Sequence, residues 1–384
     1  MTLGLAVSIE PLPAAKDVRD QWLDLEARSE ASIFLSWAWI GCWLECLPGE
    51  IKPQLLRVVQ DGRLVGLGIL VARGIRRNLF IRSRGLYLNC TGDPALDEIG
   101  IEHNGFLSER GHEAAVMQAA VAHLAGHVPD WDEFFLRGID PRVFGDSPAP
   151  PGFRRFDAGR AVACRYVDLV AVRSSGKPFV DHLGKSTRHK ARRSVKEFER
   201  QGALALDEAP DVDTARRYLS RLEDLHQRYW TSRGHPGSFS NAFLVRFHDA
   251  MLARSFADGR IQVLRITAGD KEVGYLYNHV YRGRAYNYQS GFHYIGQNQH
   301  QRPGLVSHIL AVEHNLRLGH AVYDLLAGDS FFKRSMTNAE IPMAWQVLQR
   351  GSARFGIEAA LRRVRRMVLA QLKGRRKQAG GRLP

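Results

Sequence analysis

Cysteine is scarce in this chain. Its 384 residues hold four, Cys42, Cys46, Cys90 and Cys164, with no C-x-x-C pair and no zinc-ligand spacing. That argues against a disulfide scaffold or a structural zinc knot. The Cys42–Cys46 pair, at helical spacing, then reads as two small buried residues in a reducing compartment. Long apolar runs are missing too. A membrane-spanning helix needs about 20 apolar residues, and the longest run, Leu64 to Ala72, falls far short of that. The N-terminus lacks a charged segment followed by an apolar core, so no secretory signal is expected and the cytoplasm is the expected location. There is no P-loop, no H-E-x-x-H, no metal-ligand cluster and no nucleophile elbow. Metal-assisted and covalent acyl-enzyme mechanisms therefore have no support, and no metal is expected.

Acids are outnumbered, 40 against 54 Lys and Arg, for a net charge of +14. The excess is uneven: Arg350 to Pro384 holds eleven Lys or Arg and one acid, Glu358. A nucleic-acid binder would want its basic residues on a folded platform with aromatics for stacking, and this tail has only Phe355, so nucleic acid is not an expected partner. From Ile357 the residues Ile357, Leu361, Val364, Val368 and Leu372 recur at helical steps among arginines. Two readings of residues 353–384 stand side by side: a last helix packed on the domain, and an amphipathic contact with an anionic membrane face or a synthase complex.

At 45% hydrophobic and 24% charged residues, the remainder is ordinary globular sequence, long enough for two domains. Helical spacing marks residues 16 to 47. Strands are expected at Gln54–Val59 and Leu64–Val71 around Asp61-Gly62, near Gly85–Asn89, along Ile99–Leu107 and at Phe134–Leu136, with a helix over Gly111–Leu124. Pro141 to Gly152 holds four prolines and is the clearest boundary. Beyond it come a basic helix over Lys177–Arg200, a helix over Ala215–Trp230 and strands at Ile261–Thr267, Glu272–Tyr281 and Arg284–Phe292. A helix over Leu305–Leu318 and a strand over Ala321–Leu326 complete the series. The second half thus repeats the order of the first. The chain divides into 1–150, 151–350 and a basic tail, 351–384.

The most informative stretch runs from Arg284 to Lys333. Aromatics alternate through Tyr286 and Tyr288, the loop Gly296–Arg302 is polar, and Pro303-Gly304 opens a helix. A proline-glycine turn at a helix N-terminus leaves backbone N–H groups at the positive end of the dipole, an anion site suited to a pyrophosphate. Asp324 stands within the apolar run Val322–Leu326. A carboxylate there must be paired, either as a structural salt bridge or as a base or ammonium anchor at the end of a central strand. His320 to Asp324 matches H-x-x-x-D, but Leu325 stands where that motif needs glycine, and the match is set aside.

Pro303-Gly304, Tyr323 to Gly328 and Phe332-Lys333 resemble the C-terminal signature of GNAT-fold acetyltransferases of the CelD/BcsL type. Ser186 to Arg193 resembles that family's basic helix, and Leu225 to Trp230 with Arg233-Gly234 and Gly237 to Phe239 resembles its middle motif. The matches span residues 164 to 340. They imply an α/β (α+β) chain of tandem GNAT-like folds, with mixed sheets flanked by helices and an acyl-CoA as acyl donor. By that resemblance Arg302, Pro303, Gly304, Leu305, Val306, Ser307 and Lys333 are the cofactor-side candidates. Asp324 and His226 are the catalytic candidates, and Arg188 and Arg192 substrate-side ones; Tyr288, Glu102 and Asn104 join these from the residues themselves, the last two lying outside the matched span, where turn chemistry is an equal reading. The expected reaction is direct transfer to an amine or hydroxyl, on a sugar or envelope-polysaccharide precursor. Two alternatives stay open: a FemAB-like transferase that takes aminoacyl groups from tRNA, and a non-catalytic scaffold of a polysaccharide synthase complex.

Overall fold

The computed structural model describes residues 4–77, 81–145, 147–159, 162–294 and 300–359. Its first half opens with β1 (Leu5–Pro11), α1 (Ala15–Ala27) and α2 (Trp37–Cys46), followed by the meander β2 (Pro53–Gln60), β3 (Arg63–Arg77) and β4 (Ile81–Leu88). Asp61 and Gly62 both take positive φ, 49° and 80°, the mirror-image turn that matches strand twist. The short β5 (Leu107–Ser108), α3 (Glu113–His127), β6 (Glu133–Ile139) and β7 (Phe153–Asp157) complete this half. The segment expected as a strand over Ile99–Leu107 is instead mostly loop.

The second half begins with β8 (Val162–Asp168), α4 (Leu169–Ser174), α5 (Phe179–His182) and α6 (Lys185–Glu199). The single basic helix read from Lys177 is thus two helices, broken at Leu183-Gly184, whose ψ angles are extended. Next come β9 (Leu204–Glu208), α7 (Val212–Thr231), α8 (Ala242–Ser255), β10 (Ile261–Ala268), β11 (Lys271–Tyr281) and β12 (Arg284–Phe292). Arg282 and Gly283 repeat the positive-φ turn, at 48° and 72°. The series ends with α9 (Pro303–Arg317), β13 (Val322–Ala327), α10 (Phe331–Met336) and β14 (Ala339–Arg350).

The path β1-α1-α2-β2-β3-β4-α3-β6 has the same order as β9-α7-α8-β10-β11-β12-α9-β13. In each, an antiparallel meander is followed by a parallel pairing of only three positions, Gly85–Tyr87 with Glu133–Phe135 and Arg284–Tyr286 with Val322–Asp324. The strands form one hydrogen-bonded series, with β14 at the centre. The N-terminal part of β14 pairs with β8, and from Ala344 onward it pairs with β6 and β7. No element was assigned to β14 from sequence, and Pro342 is unusual in a central strand. The proline sits in the stretch paired on one side only.

Apolar faces of α1, α2, α7 and α8 join the inward faces of both sheets in one core containing Trp22, Trp39, Phe247 and Tyr277. Outside it, α6 and α9 cover the other face of the second sheet, and α3 that of the first. The buried Glu26 carboxylate ties the halves together: it accepts from the Trp37 N–H at 2.6 Å and from the Tyr281 hydroxyl at 2.7 Å. Of the tail, residues 353–359 are helical, with Phe355 buried and Ile357 exposed; the helical pattern expected beyond them lies outside the described residues. Among the described residues no helix is long and apolar enough to cross a membrane.

Because Val347 pairs with Phe135 on one side and Phe156 on the other, Val347→Pro should destabilise the whole protein by about 3 kcal/mol or more. Thermal unfolding followed by tryptophan fluorescence checks this. A melting temperature within a degree or two of wild type would contradict a shared central strand.

Candidate active site

Asp324 is the last residue of β13 paired with β12 before the two strands part. Beyond it β13 bulges against β8, with Leu326 at φ 62° and its N–H donating to Asp324 Oδ1 at 2.8 Å. The carboxylate is fully buried and meets three side chains from three other segments. Arg284 of β12 donates at 2.8 Å, His103 Nε2 lies 3.1 Å away, and the Cys164 thiol of β8 donates at 3.2 Å. Burial alone would raise this carboxyl. The His103 hydrogen bond and the His103 and Arg284 charges outweigh it and hold the group at about 2. Of the pairings expected for this carboxylate, the structure has the salt bridge, to Arg284, and the lowered pKa argues against a proton-accepting role for Asp324 itself. Burial and then the Asp324 charge push the Cys164 thiol up, so it stays protonated.

His103 Nε2, Cys164 Sγ and an Asp324 oxygen form the one cluster of metal-ligand type found among the described residues. A tetrahedral zinc would spread such atoms to roughly 3.3–3.6 Å apart. They stand at 3.1 to 3.2 Å, hydrogen-bonding distances, with the Arg284 guanidinium already balancing the charge.

Sequence reasoning singled out Glu102 and Asn104 and passed over His103 between them. The signal available was Glu102-His103-Asn104-Gly105, three polar residues before a glycine; in the structure His103 takes φ 46°, an uncommon conformation for a non-glycine residue. Glu102 accepts from the Ala327 N–H at 2.6 Å, and burial pushes its carboxyl up. Asn104 is no free substrate contact. Its amide donates to the carbonyls of Leu88 and Arg137, both at 3.0 Å, and its oxygen accepts from Asn89 and from the Gly105 N–H. Asn104 thereby stitches β4 to β6 where those strands would otherwise part.

The other expected site residues are dispersed. His226 on α7 packs against Phe239 and Trp230, and burial pushes its imidazole down to about 4. Neither of its ring nitrogens has a partner among the described residues, and Asp324 is paired with other side chains, so the two catalytic candidates are not brought together. Tyr288 donates to the Ile99 carbonyl and packs in the central core against His248 and His279. Arg188 and Arg192 belong to α6, on the opposite face of that sheet, and both pair with Asp181. Lys333 was expected at a phosphate. Its ammonium instead donates to the carbonyls of Ala327 at 2.6 Å and Leu326 at 3.2 Å, groups that the bulge frees from the ladder, and burial lowers its pKa.

The expected anion site is the start of α9. Pro303 occupies the first turn, Val306 N–H reaches back to Arg302, and Arg302 N–H donates to Ser194 of α6 at 2.9 Å. Helix geometry leaves the N–H groups of Gly304 and Leu305 without intrahelical acceptors. Leu305, Val306 and Ser307 are themselves buried, and the Ser307 hydroxyl has no partner among the described residues. Any anion held there would be held by backbone. Residues 295–299 of the preceding loop lie outside the described residues.

A family model described as "Acetyltransferase (GNAT) domain" matches residues 185–334, which include α6, α9 and Asp324. No curated protein matches the chain. Among solved structures the chain is similar to the C-terminal domain (DUF2156) of a provisional lysylphosphatidylglycerol synthetase from Agrobacterium fabrum. The identity is 14%, with 93% of this chain and 97% of that one covered and a TM-score of 0.52. FemX gives 8% identity, 90% and 97% coverage and a TM-score of 0.55. A conserved protein of unknown function from Bacteroides thetaiotaomicron gives 12%, 89%, 100% and 0.56. The fold is a mixed α/β fold with a GNAT-like sheet flanked by helices.

Asp324→Asn should leave Arg284 uncompensated in the interior and cost roughly 3–5 kcal/mol at neutral pH. The native carboxyl is held at about 2, below its unfolded value, so its contribution is complete above about pH 4 and fades as pH falls toward 2. Urea denaturation of both proteins between pH 7 and pH 3 checks this. The gap between them should narrow on acidification; a gap that widens contradicts the assignment.

Proposed function

We propose that this protein transfers an acyl group from an acyl-CoA directly to an amine or hydroxyl, and that the second half alone holds the donor. The observation that carries the reading is the contrast between two equivalent places. In the second half the parallel register ends at Tyr286 and Asp324, and α9 follows with first-turn backbone N–H groups that have no intrahelical acceptor. In the first half the same place is tied across by Asn104. Parted strands give a pantetheine arm room and extended backbone to bond with, and the helix N-terminus suits a pyrophosphate. The basic helix α6, beside α9 through Ser194, favours the approach of a polyanionic donor. Direct transfer needs only positioning, a proton acceptor and donors to the developing oxyanion. A sugar or polysaccharide precursor as acceptor is part of the proposal, supported by the resemblance in sequence, as is a peripheral contact through residues 353–384.

Isothermal titration with acetyl-CoA tests this, with one site per chain expected. Gly304→Asp adds a carboxylate at the helix start and should weaken affinity tenfold or more, about 1.4 kcal/mol. A Cβ at Gly304 would stand 3.1 Å from the Phe292 ring, so circular dichroism should confirm that the variant is folded. Two equivalent sites, or unchanged affinity in a folded variant, would count against the reading. Absence of binding by the wild type would move the donor to aminoacyl-tRNA or leave a scaffold.

A further inference from the structure

We infer that His103, a residue of the first half, is the general base for acyl transfer at the second half, with Asp324 as its positioning residue. The inference rests on the donor site proposed above. The imidazole is fixed from several sides. Asn104, next in the chain, is locked between β4 and β6, Ser32 Oγ donates to the His103 carbonyl at 3.1 Å, and the Phe34 and Tyr286 rings flank the imidazole at 6.4 and 5.9 Å. Nε2 points at the Asp324 carboxylate and the Cys164 sulfur. With Asp324 ionised, Nε2 carries the proton and Nδ1 keeps the lone pair. No hydrogen bond to Nδ1 occurs among the described residues, and it is not among their buried unpartnered atoms. The His103 side chain is 14% exposed and lines a cleft of about 520 Å³ between the halves, with Glu30, Ser32, Arg110, Arg284 and Tyr286.

A carboxylate on one ring nitrogen and an open cleft before the other is the arrangement of a base whose tautomer is set from behind. Charged groups face it from every side: Asp324, Glu102 and Arg284 around Nε2, and Glu30, Arg110 and Asp140 along the cleft. The step balances. A neutral acceptor amine or hydroxyl in the cleft attacks the thioester carbonyl carbon, forming the new C–N or C–O bond and losing its proton to Nδ1. The C–S bond breaks, its electron pair leaves on the coenzyme A sulfur, and the imidazolium proton passes to that thiolate or to water. This gives the first half a task in catalysis although its own strand opening is closed.

Nitrogen-15 NMR of histidine-labelled protein tests the arrangement without an acceptor, the His103 signals being those lost in His103→Asn. The expected result is an Nε2–H tautomer with a pyridine-like Nδ1; an Nδ1–H tautomer overturns the inference. His103→Gly and His103→Asn both tolerate φ 46°, so both should fold. Thiol release from acetyl-CoA, with glucosamine as the amine, should drop at least 100-fold in either, while acetyl-CoA affinity by calorimetry stays within twofold. Added imidazole should restore part of the rate to His103→Gly. Wild-type rates in the glycine variant overturn the base alone. Wild-type protein that binds no acetyl-CoA overturns the donor reading and the base with it.

Discussion

A carboxylate without solvent is the constraint around which the junction of this protein is arranged. Asp324 lies in the middle of an apolar strand, where an unpaired charge would cost several kcal/mol. The chain answers with one partner from each neighbour: Arg284 across the parallel pairing, Cys164 across the antiparallel one, and His103 from the other half. Each partner fixes something else in turn. Arg284 holds the start of β12, and the Leu326 N–H that bonds to the same carboxylate shapes the bulge that parts β13 from its neighbours. Because the charge must be satisfied, the two halves have little freedom to slide past one another at this point.

The two halves follow one path and end differently, and side-chain chemistry explains the difference. At the end of their parallel pairing, the first has Phe135 where the second has Asp324. In the first, the loop after β4 returns through Asn104 and supplies the missing backbone partners from a side-chain amide. A stitched opening is rigid, and rigidity suits a half whose loop presents residues to its neighbour. If the second half alone holds the donor, as proposed, the doubled fold is a division of labour: one half holds, the other reaches in.

Much of this was legible in sequence. The strands at Ile261, Glu272 and Arg284, their turns, and the helix expected from Leu305 announced themselves through period, glycine and proline. Asp324 was conspicuous as a lone charge in an apolar run. Its partners were not, since Arg284, Cys164 and His103 lie 40, 160 and 221 positions away, and no local pattern encodes which of 15 histidines will meet a given carboxylate. Asn104 was read as a substrate contact because a polar loop residue carries no mark of whether its bonds go to ligand or to backbone. Lys333 failed for a related reason, as the carbonyls it serves are freed by a bulge that only the register reveals. The strand β14 received no reading in sequence, and its Pro342 is tolerable because that stretch has a single neighbour.

The central position of β14 also sets an order on synthesis. The first sheet has β1, β2, β3, β4 and β6 once residue 139 has been made, yet the strand that closes its β6 edge begins at residue 339. About 200 residues must leave the ribosome before that edge is covered. Until then β6 presents unpaired backbone, the kind of edge that captures other chains. A nascent first half is therefore exposed for the whole time the second is being made, and chaperone contact during translation should concentrate on that interval.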